Sequence, residues 1–367
     1  HRCARVGSWA RRCVGKGSLL MRRWPRDGAR WFVGVIFRRR RRRRIGASRH
    51  ASTPRTQAPL AARKETATQL HGATLAISGD GRYYNDKAIQ TIIKMAAASG
   101  VKRVWCGTGG LLSTPAMSAV IRTRSRGLQK MAPVGGFILS ASHNPGGIDE
   151  DFGIKYNCEN GGPAPEKVTN LIYENTTKIC QYQIVADLPD VDLAKPGSYT
   201  FGDFTVDVFD CCEDHVGLLK QVFDFGAIKR LIARPDFSLC YDSMHGVQGP
   251  YARRVLVDEL GAPADSLINA TPKPDFGGHA SPSHGHADPN LTHAVELVAT
   301  MGLNKLGLPI KTAKPPPAFG AAADGDADRN MIMGRQFFCS PSDSLAIIVA
   351  NAQACIPYYA AGIKGCA

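Results

Sequence analysis

Two short stretches of this 367-residue chain carry groups that could do chemistry together. In the first, residues 135–157 (GGFILSASHNPGGIDEDFGIKYN), Ser140, Ser142, His143 and Asn144 follow an apolar run and precede Pro145, Gly146 and Gly147. A small hydroxyl on an uncrowded turn can act as a nucleophile where nearby charge supports it. Ser142 is that candidate, with His143 beside it for proton transfer. Taken alone, a Ser-His-Asn-Pro turn is more readily a serine bonding its own backbone. Lys155 stands between Ile154 and Tyr156. In an extended segment it points opposite to both neighbours, so it can face a cleft, where an ammonium stabilises negative charge or moves a proton; the plain alternative is a surface lysine. Asp149, Glu150 and Asp151 read as a solvated loop.

The second stretch is Asp324-Gly325-Asp326-Ala327-Asp328-Arg329. Three carboxylates at alternate positions, with small residues between them, can turn to one side and form an oxygen cage for a hard divalent cation. A lone pattern of this kind fits a calcium loop or a solvated acidic turn as well, although an EF-hand would need a later glutamate that is missing.

These loops need a scaffold. Phe137, Ile138 and Leu139 read as a buried strand of a parallel sheet, which puts the serine turn at a strand's carboxyl end, the usual ligand crevice of open α/β sheets. Upstream, residues 74–78 read as a strand, 85–99 as a helix stopped by Gly100, and 101–105 as a second strand, a right-handed parallel unit. Ser113, Thr114 and Pro115 start a helix over 116–122. Downstream, 223–233 and 250–260 read as helices and 239–242 as a strand; Asp242, His245 and Gly246 read as support for a strand-to-helix turn. His279, His284 and His286 are assigned no metal, and 303–317 is a surface loop. Residues 341 onward read as a helix apolar nearly all round, which should be buried.

Over residues 76–367 the chain resembles the alpha-D-phosphohexomutases, most closely the eukaryotic-type phosphoglucomutases. The resemblance rests on ISGDGRYYNDKAIQTI, GTGGLLSTPAMSAVIR, the serine loop, DSMHGVQGPYARRVLVDELGAP and AAADGDADRNMIMG. It implies two consecutive mixed-sheet α/β domains, residues 66–202 with a phosphoserine loop and 203–339 with a metal loop, and the start of a third over 340–367. It implies interconversion of glucose 1-phosphate and glucose 6-phosphate through phosphorylated Ser142 and a glucose 1,6-bisphosphate intermediate. Catalytic Ser142, His143 and Lys155, and Mg2+ held by Asp324, Asp326, Asp328 and the Ser142 phosphoryl group come with it; Arg329 reads as a phosphate contact or a pin for the loop. So do a sugar-phosphate substrate and a monomeric whole enzyme. Phosphomannomutase activity and a non-catalytic scaffold relative stay as alternatives, because the third domain's sugar loop and the fourth domain's phosphate clamp are not in the sequence; the chain is expected to be a fragment. The family's usual glycine is replaced by Ala327.

The net charge of +15 would suggest a nucleic-acid or membrane partner if it were spread over a folded face. It is not. Residues 1–65 hold 20 Lys and Arg against Asp27 and Glu65, or +18, leaving the body at −3. That basic leader, with Trp24, Trp31 and arginines throughout 38–44, is expected to be disordered, and is either a targeting extension or not native coding sequence. The eleven cysteines show no Cys-x-x-Cys pair, and only Cys211 and Cys212 are adjacent. They read as ordinary buried thiols in a reducing compartment, and no apolar run approaches the roughly 20 residues of a membrane helix. The reading is a cytoplasmic protein, or an organelle protein if the leader is genuine.

Overall fold

The computed structural model describes residues 14–15, 18–22, 70–124, 133–178 and 182–365. Strand β3 (Thr74–Gly79), helix α1 (Asn85–Ala98) and β4 (Arg103–Gly107) form the expected parallel unit. Helix α1 buries Ala88, Ile89, Ile92, Ile93, Met95 and Ala96 along one face. It ends just before Gly100, whose φ of 82° favours a residue without a Cβ. Helix α2 (Thr114–Thr123) starts where Ser113 Oγ accepts the Ala116 N–H at 3.1 Å, with proline in its first turn.

Strand β5 (Pro133–Leu139) carries the serine loop at its end. It pairs parallel to β3 but antiparallel to β6 (Asp151–Cys158), so the sheet is mixed rather than wholly parallel. After helix α3 (Glu166–Thr176), the hairpin of β7 (Gly197–Phe201) and β8 (Phe204–Phe209) closes the far side, with β8 parallel to β4. The first sheet runs on to Phe209, past the boundary expected at residue 203, and β8 covers the otherwise open edge of β4.

Two short pieces of the leader are described. Strands β1 (Val14–Gly15) and β2 (Ser18–Arg22) are described, and β2 adds antiparallel to the outer edge of β6 with Ser18 opposite Lys155. An open edge of unpaired N–H and C=O groups is a template for such addition. Trp24, Trp31 and the arginine run lie outside the described residues. The first sheet thus runs β1-β2-β6-β5-β3-β4-β8-β7.

The second unit begins with helices α4 (Glu213–Val222) and α5 (Phe225–Ile232). Strand β9 (Leu239–Asp242) leads to helix α6 (Gln248–Ala252). Where a single helix was expected, α6 widens into a π-helix over Arg253–Glu259, and Leu260 N–H reaches back to Val255 O before the run stops at Gly261. Then follow β10 (Leu267–Ile268), α7 (Val295–Thr300), β11 (Phe319–Ala323), β12 (Asn330–Gly334), β13 (Phe337–Cys339) and α8 (Pro341–Cys355). The sheet order is β10-β9-β11-β12-β13, with β9 parallel to β10 and β11 and the last two strands antiparallel, so the expected pair of mixed-sheet α/β units is present. Helix α8 exposes Leu345, Ile347 and Ile348 by more than half, an apolar patch on a helix whose composition suits burial.

One core cluster joins the two units. Met117 and Val120 of α2 pack with Trp105, Cys211, Val216, Val247 and Tyr251. This contact fixes the start of α2 against the acidic loop of the second unit. Replacing Ser113 with alanine removes the cap and is expected to lower unfolding stability by about 1 kcal/mol in urea titrations, with an unchanged m-value.

Candidate active site

The serine loop and the acidic loop meet. Ser142 Oγ donates to Asp324 Oδ2 at 2.8 Å, although 182 positions separate them. Lys155 Nζ donates to Asp326 Oδ2 at 2.5 Å and to Asp328 Oδ2 at 3.3 Å. Strand β6 aims it there: Ile154 is buried in the core and Tyr156 packs against that core, while Lys155 takes the opposite face.

The serine loop is held in an unusual shape. Ser142 has φ 55°, a left-handed conformation that costs an L residue roughly 1–2 kcal/mol. Its N–H donates to Ser140 Oγ at 2.8 Å, and its carbonyl accepts from Arg82 at 2.9 Å. The same guanidinium donates to Asp151 O at 2.8 Å and is clamped by Asp80. Both Asp80 and Arg82 are fully buried, and the guanidinium lies 5.2 Å from the Phe276 ring. Asp151 is half-buried and accepts the Asn144 amide at 2.7 Å, so this member of the acidic trio is part of the loop's frame rather than solvated. The sequence reading missed Asp80, Arg82 and Asp151. A buried arginine beside a serine turn leaves no mark in composition or periodicity.

The acidic loop wraps its own first carboxylate. Asp324 Oδ1 accepts the backbone N–H groups of Asp328 and Arg329 at 3.0 and 3.1 Å. Gly325 is required by proximity, since a Cβ there would stand 2.7 Å from Ser142 O. Ala327 has φ 60°. Thr114, at the start of α2, donates its N–H to Asp326 O at 2.9 Å and its hydroxyl to Asp326 Oδ2 at 2.6 Å, another contact that spacing did not reveal. Arg329 takes part through its backbone N–H and through its charge near His143.

Electrostatics follows from the packing. Burial, then the charges of Asp326 and Asp328, push Asp324 up to about 7. Burial would raise Asp326 as well, but the Lys155 ammonium, together with the Thr114 and Ser140 hydroxyls, brings it below the usual range. Burial works against charge on Lys155, yet the two aspartates hold its value above normal, so it stays an ammonium. His143 is lowered, first by burial and then by Arg329, which favours a neutral imidazole near neutral pH.

The residues fit a hard cation. Oxygens of Asp324, Asp326 and Asp328 lie within 4.8 Å of one another. Asp326 Oδ1 is buried with no hydrogen-bond partner among the described residues, an oxygen that a cation would satisfy. Of the other residues singled out, Asp242 accepts the Met244 N–H at 2.8 Å and the Asn269 amide at 3.0 Å at the end of β9. His286 stacks on His293 with ring centroids 4.6 Å apart. Substituting Ala327 with glycine relieves the left-handed strain and is expected to raise stability by up to about 1 kcal/mol, measured by thermal or urea unfolding.

Residues 52–183 match the family model described as phosphoglucomutase/phosphomannomutase, alpha/beta/alpha domain I, and residues 214–336 match domain II of the same family. A Mesembryanthemum crystallinum protein named "Phosphoglucomutase, cytoplasmic" is 60% identical over 306 residues, which is 82% of this chain and 51% of that protein. One of the same name from Pisum sativum is 58% identical over 306 residues, with the same coverage. The chain spans about half the length of the curated relatives it matches. Among solved structures, the open form of the Paramecium exocytosis-sensitive phosphoprotein parafusin, a phosphoglucomutase, aligns with TM-score 0.76 at 40% identity, covering 90% of this chain and 53% of that one. A phosphoglucomutase/phosphomannomutase family protein from Burkholderia thailandensis, at TM-score 0.57, 17% identity and coverage of 92% and 58%, shares the fold. With both domain models matched in order on the two sheets whose loops converge, the chain belongs to the phosphoglucomutase/phosphomannomutase family.

Proposed function

We propose that the chain carries the phosphoserine and metal half of a phosphoglucomutase, an intramolecular phosphotransferase that interconverts glucose 1-phosphate and glucose 6-phosphate. The observation that carries this reading is the 2.8 Å contact of Ser142 Oγ with the Asp324 carboxylate inside a three-aspartate cage. The names of the plant relatives, phosphoglucomutases called cytoplasmic, support both the substrate and a cytoplasmic location.

Ser142 is the phosphoryl carrier. A sugar hydroxyl forms a bond to phosphorus as the Ser142 Oγ–P bond breaks, giving glucose 1,6-bisphosphate. The hydroxyl proton passes to the neutral His143 imidazole, and a proton from the Lys155 ammonium goes to the departing Ser142 Oγ. The Lys155 ammonium faces the charge that builds on the moving phosphoryl oxygens, and Arg329 contacts phosphate. Return of the other phosphoryl group to Ser142 releases the isomer. Mg2+ is the cation proposed for Asp324, Asp326 and Asp328, completed by a phosphoryl oxygen on Ser142; bound there it neutralises charge on the transferring group. We assign the domains as 66–209 and 210–339, with 340–367 opening a third, and the whole enzyme as a monomer.

Two outcomes test the reading. Incubation of the chain with glucose 1,6-bisphosphate and Mg2+ is expected to add one phosphoryl group to Ser142, read by peptide mass. In the whole enzyme, Ser142→Ala is expected to lower turnover by about a thousandfold or more. An unmodified Ser142 peptide together with full activity of the alanine variant would sink the assignment.

The raised value of Asp324 sets a second test. Its folded value lies above its ordinary 3.8, so the stability it lends the metal-free protein is fully present below that value and is lost as pH rises through about 7. Mg2+ needs the ionised carboxylate, so its stabilising effect should run the other way. The thermal shift caused by Mg2+ is expected to grow as pH rises through about 7, and Asp324→Asn should flatten that dependence.

A further inference from the structure

Away from the aspartate cage, the turn between β8 and α4 brings a second set of ligands together. Asp210, Cys211 and Cys212 present a carboxylate oxygen and two thiol sulfurs within 4.8 Å of one another. The two sulfurs are 3.8 Å apart. A tetrahedral zinc with Zn–S bonds of about 2.3 Å holds two thiolates about 3.8 Å apart, so the pair already stands at the bite of such an ion.

The backbone leaves the pair little freedom. Cys211 N–H donates to Thr108 Oγ1 at 3.1 Å, Cys212 N–H donates to Asp210 Oδ1 at 2.9 Å, and Cys211 O accepts from the Tyr251 hydroxyl at 2.8 Å. Both cysteines are buried while Asp210 reaches solvent. Adjacent cysteines in an extended strand would point apart; the turn is what makes them converge.

We propose that Asp210, Cys211 and Cys212 form a site for a soft or borderline divalent cation, Zn2+ or Cd2+, with a water in the fourth position. Thiolate donors select such ions over Mg2+, which the all-oxygen cage suits. Binding replaces the two thiol protons with metal–sulfur bonds and releases those protons to solvent. The site is independent of sugar-phosphate chemistry. It does adjoin the active-site scaffold, because the Tyr251 hydroxyl that holds Cys211 O also accepts the Ser113 N–H at 3.3 Å, at the start of α2.

The test uses the reduced, chelator-treated 367-residue chain. It is titrated with Cd2+ in the presence of excess Mg2+, which occupies the aspartate cage. A cadmium–thiolate charge-transfer band should rise and saturate at one equivalent, and Zn2+ should compete it away. Cys211→Ser and Cys212→Ser should each abolish that first equivalent, with circular dichroism showing that they fold. Asp210→Asn, a change at an exposed side chain, should weaken Cd2+ by at least about tenfold and serves if the cysteine variants do not fold. No band saturating at one equivalent, a band of unchanged size in both serine variants, or unchanged affinity in Asp210→Asn overturns the proposal. None of these results bears on phosphorylation of Ser142, so the two readings fail separately.

Discussion

Repulsion among Asp324, Asp326 and Asp328 is the constraint around which the molecule is arranged. Two unit charges about 4 Å apart repel by roughly 4 kcal/mol at an effective dielectric near 20, and Asp324 and Asp326 are fully buried. The offsetting charge comes from the other sheet: Lys155 on β6 reaches two of the three carboxylates. Removing one partner of a buried pair leaves an uncompensated charge and costs several kcal/mol. The two domains are therefore bound electrostatically at the candidate site. Burial, and then the charges of Asp326 and Asp328, leave Asp324 with a raised proton affinity.

Both loops contain a residue in the left-handed region, Ser142 and Ala327. Such strain persists only where surrounding contacts over-determine the shape. For the serine loop, the buried Asp80–Arg82 pair supplies those contacts, because one planar guanidinium binds two loop carbonyls and a carboxylate at fixed angles. For the acidic loop, two backbone N–H groups close on Asp324 Oδ1. A lysine in place of Arg82 would keep the charge but lose the fork that holds Ser142 and β6 together.

Much of this was legible in the sequence where the signal is local. The apolar face of α1, the Ser-Thr-Pro start of α2, the short strand Leu239–Asp242 and the opposed faces of Ile154 and Lys155 all follow from helix and strand periods. The alternate aspartates suggest a cation cage by type and spacing but fit a solvated acidic turn as well, and the choice between them, like Mg2+ and the sugar, came from family resemblance. What stayed hidden depends on partners distant in sequence. Arg82 looks like any polar turn residue until it is seen buried under Phe276, and Thr114 like any helix-start hydroxyl until it meets Asp326. The β7–β8 hairpin was divided because a strand in a sequence carries no label of the sheet it joins. Strand β2 was missed because its pairing is dictated by the open edge of β6 rather than by its own pattern.

Helix α2 shows why the two loops behave as one unit. Its start is tied to Asp326 through the Thr114 N–H and hydroxyl, and to Tyr251 through the Ser113 N–H. The Ser142–Asp324 bond and the Lys155–Asp326 pair cross between the same two domains. Any hinge motion that separated the domains would break all of these at once and leave buried carboxylates unpaired, each loss costing of order 1–3 kcal/mol or more. Opening at this seam therefore carries a cost that accumulates over all of these contacts.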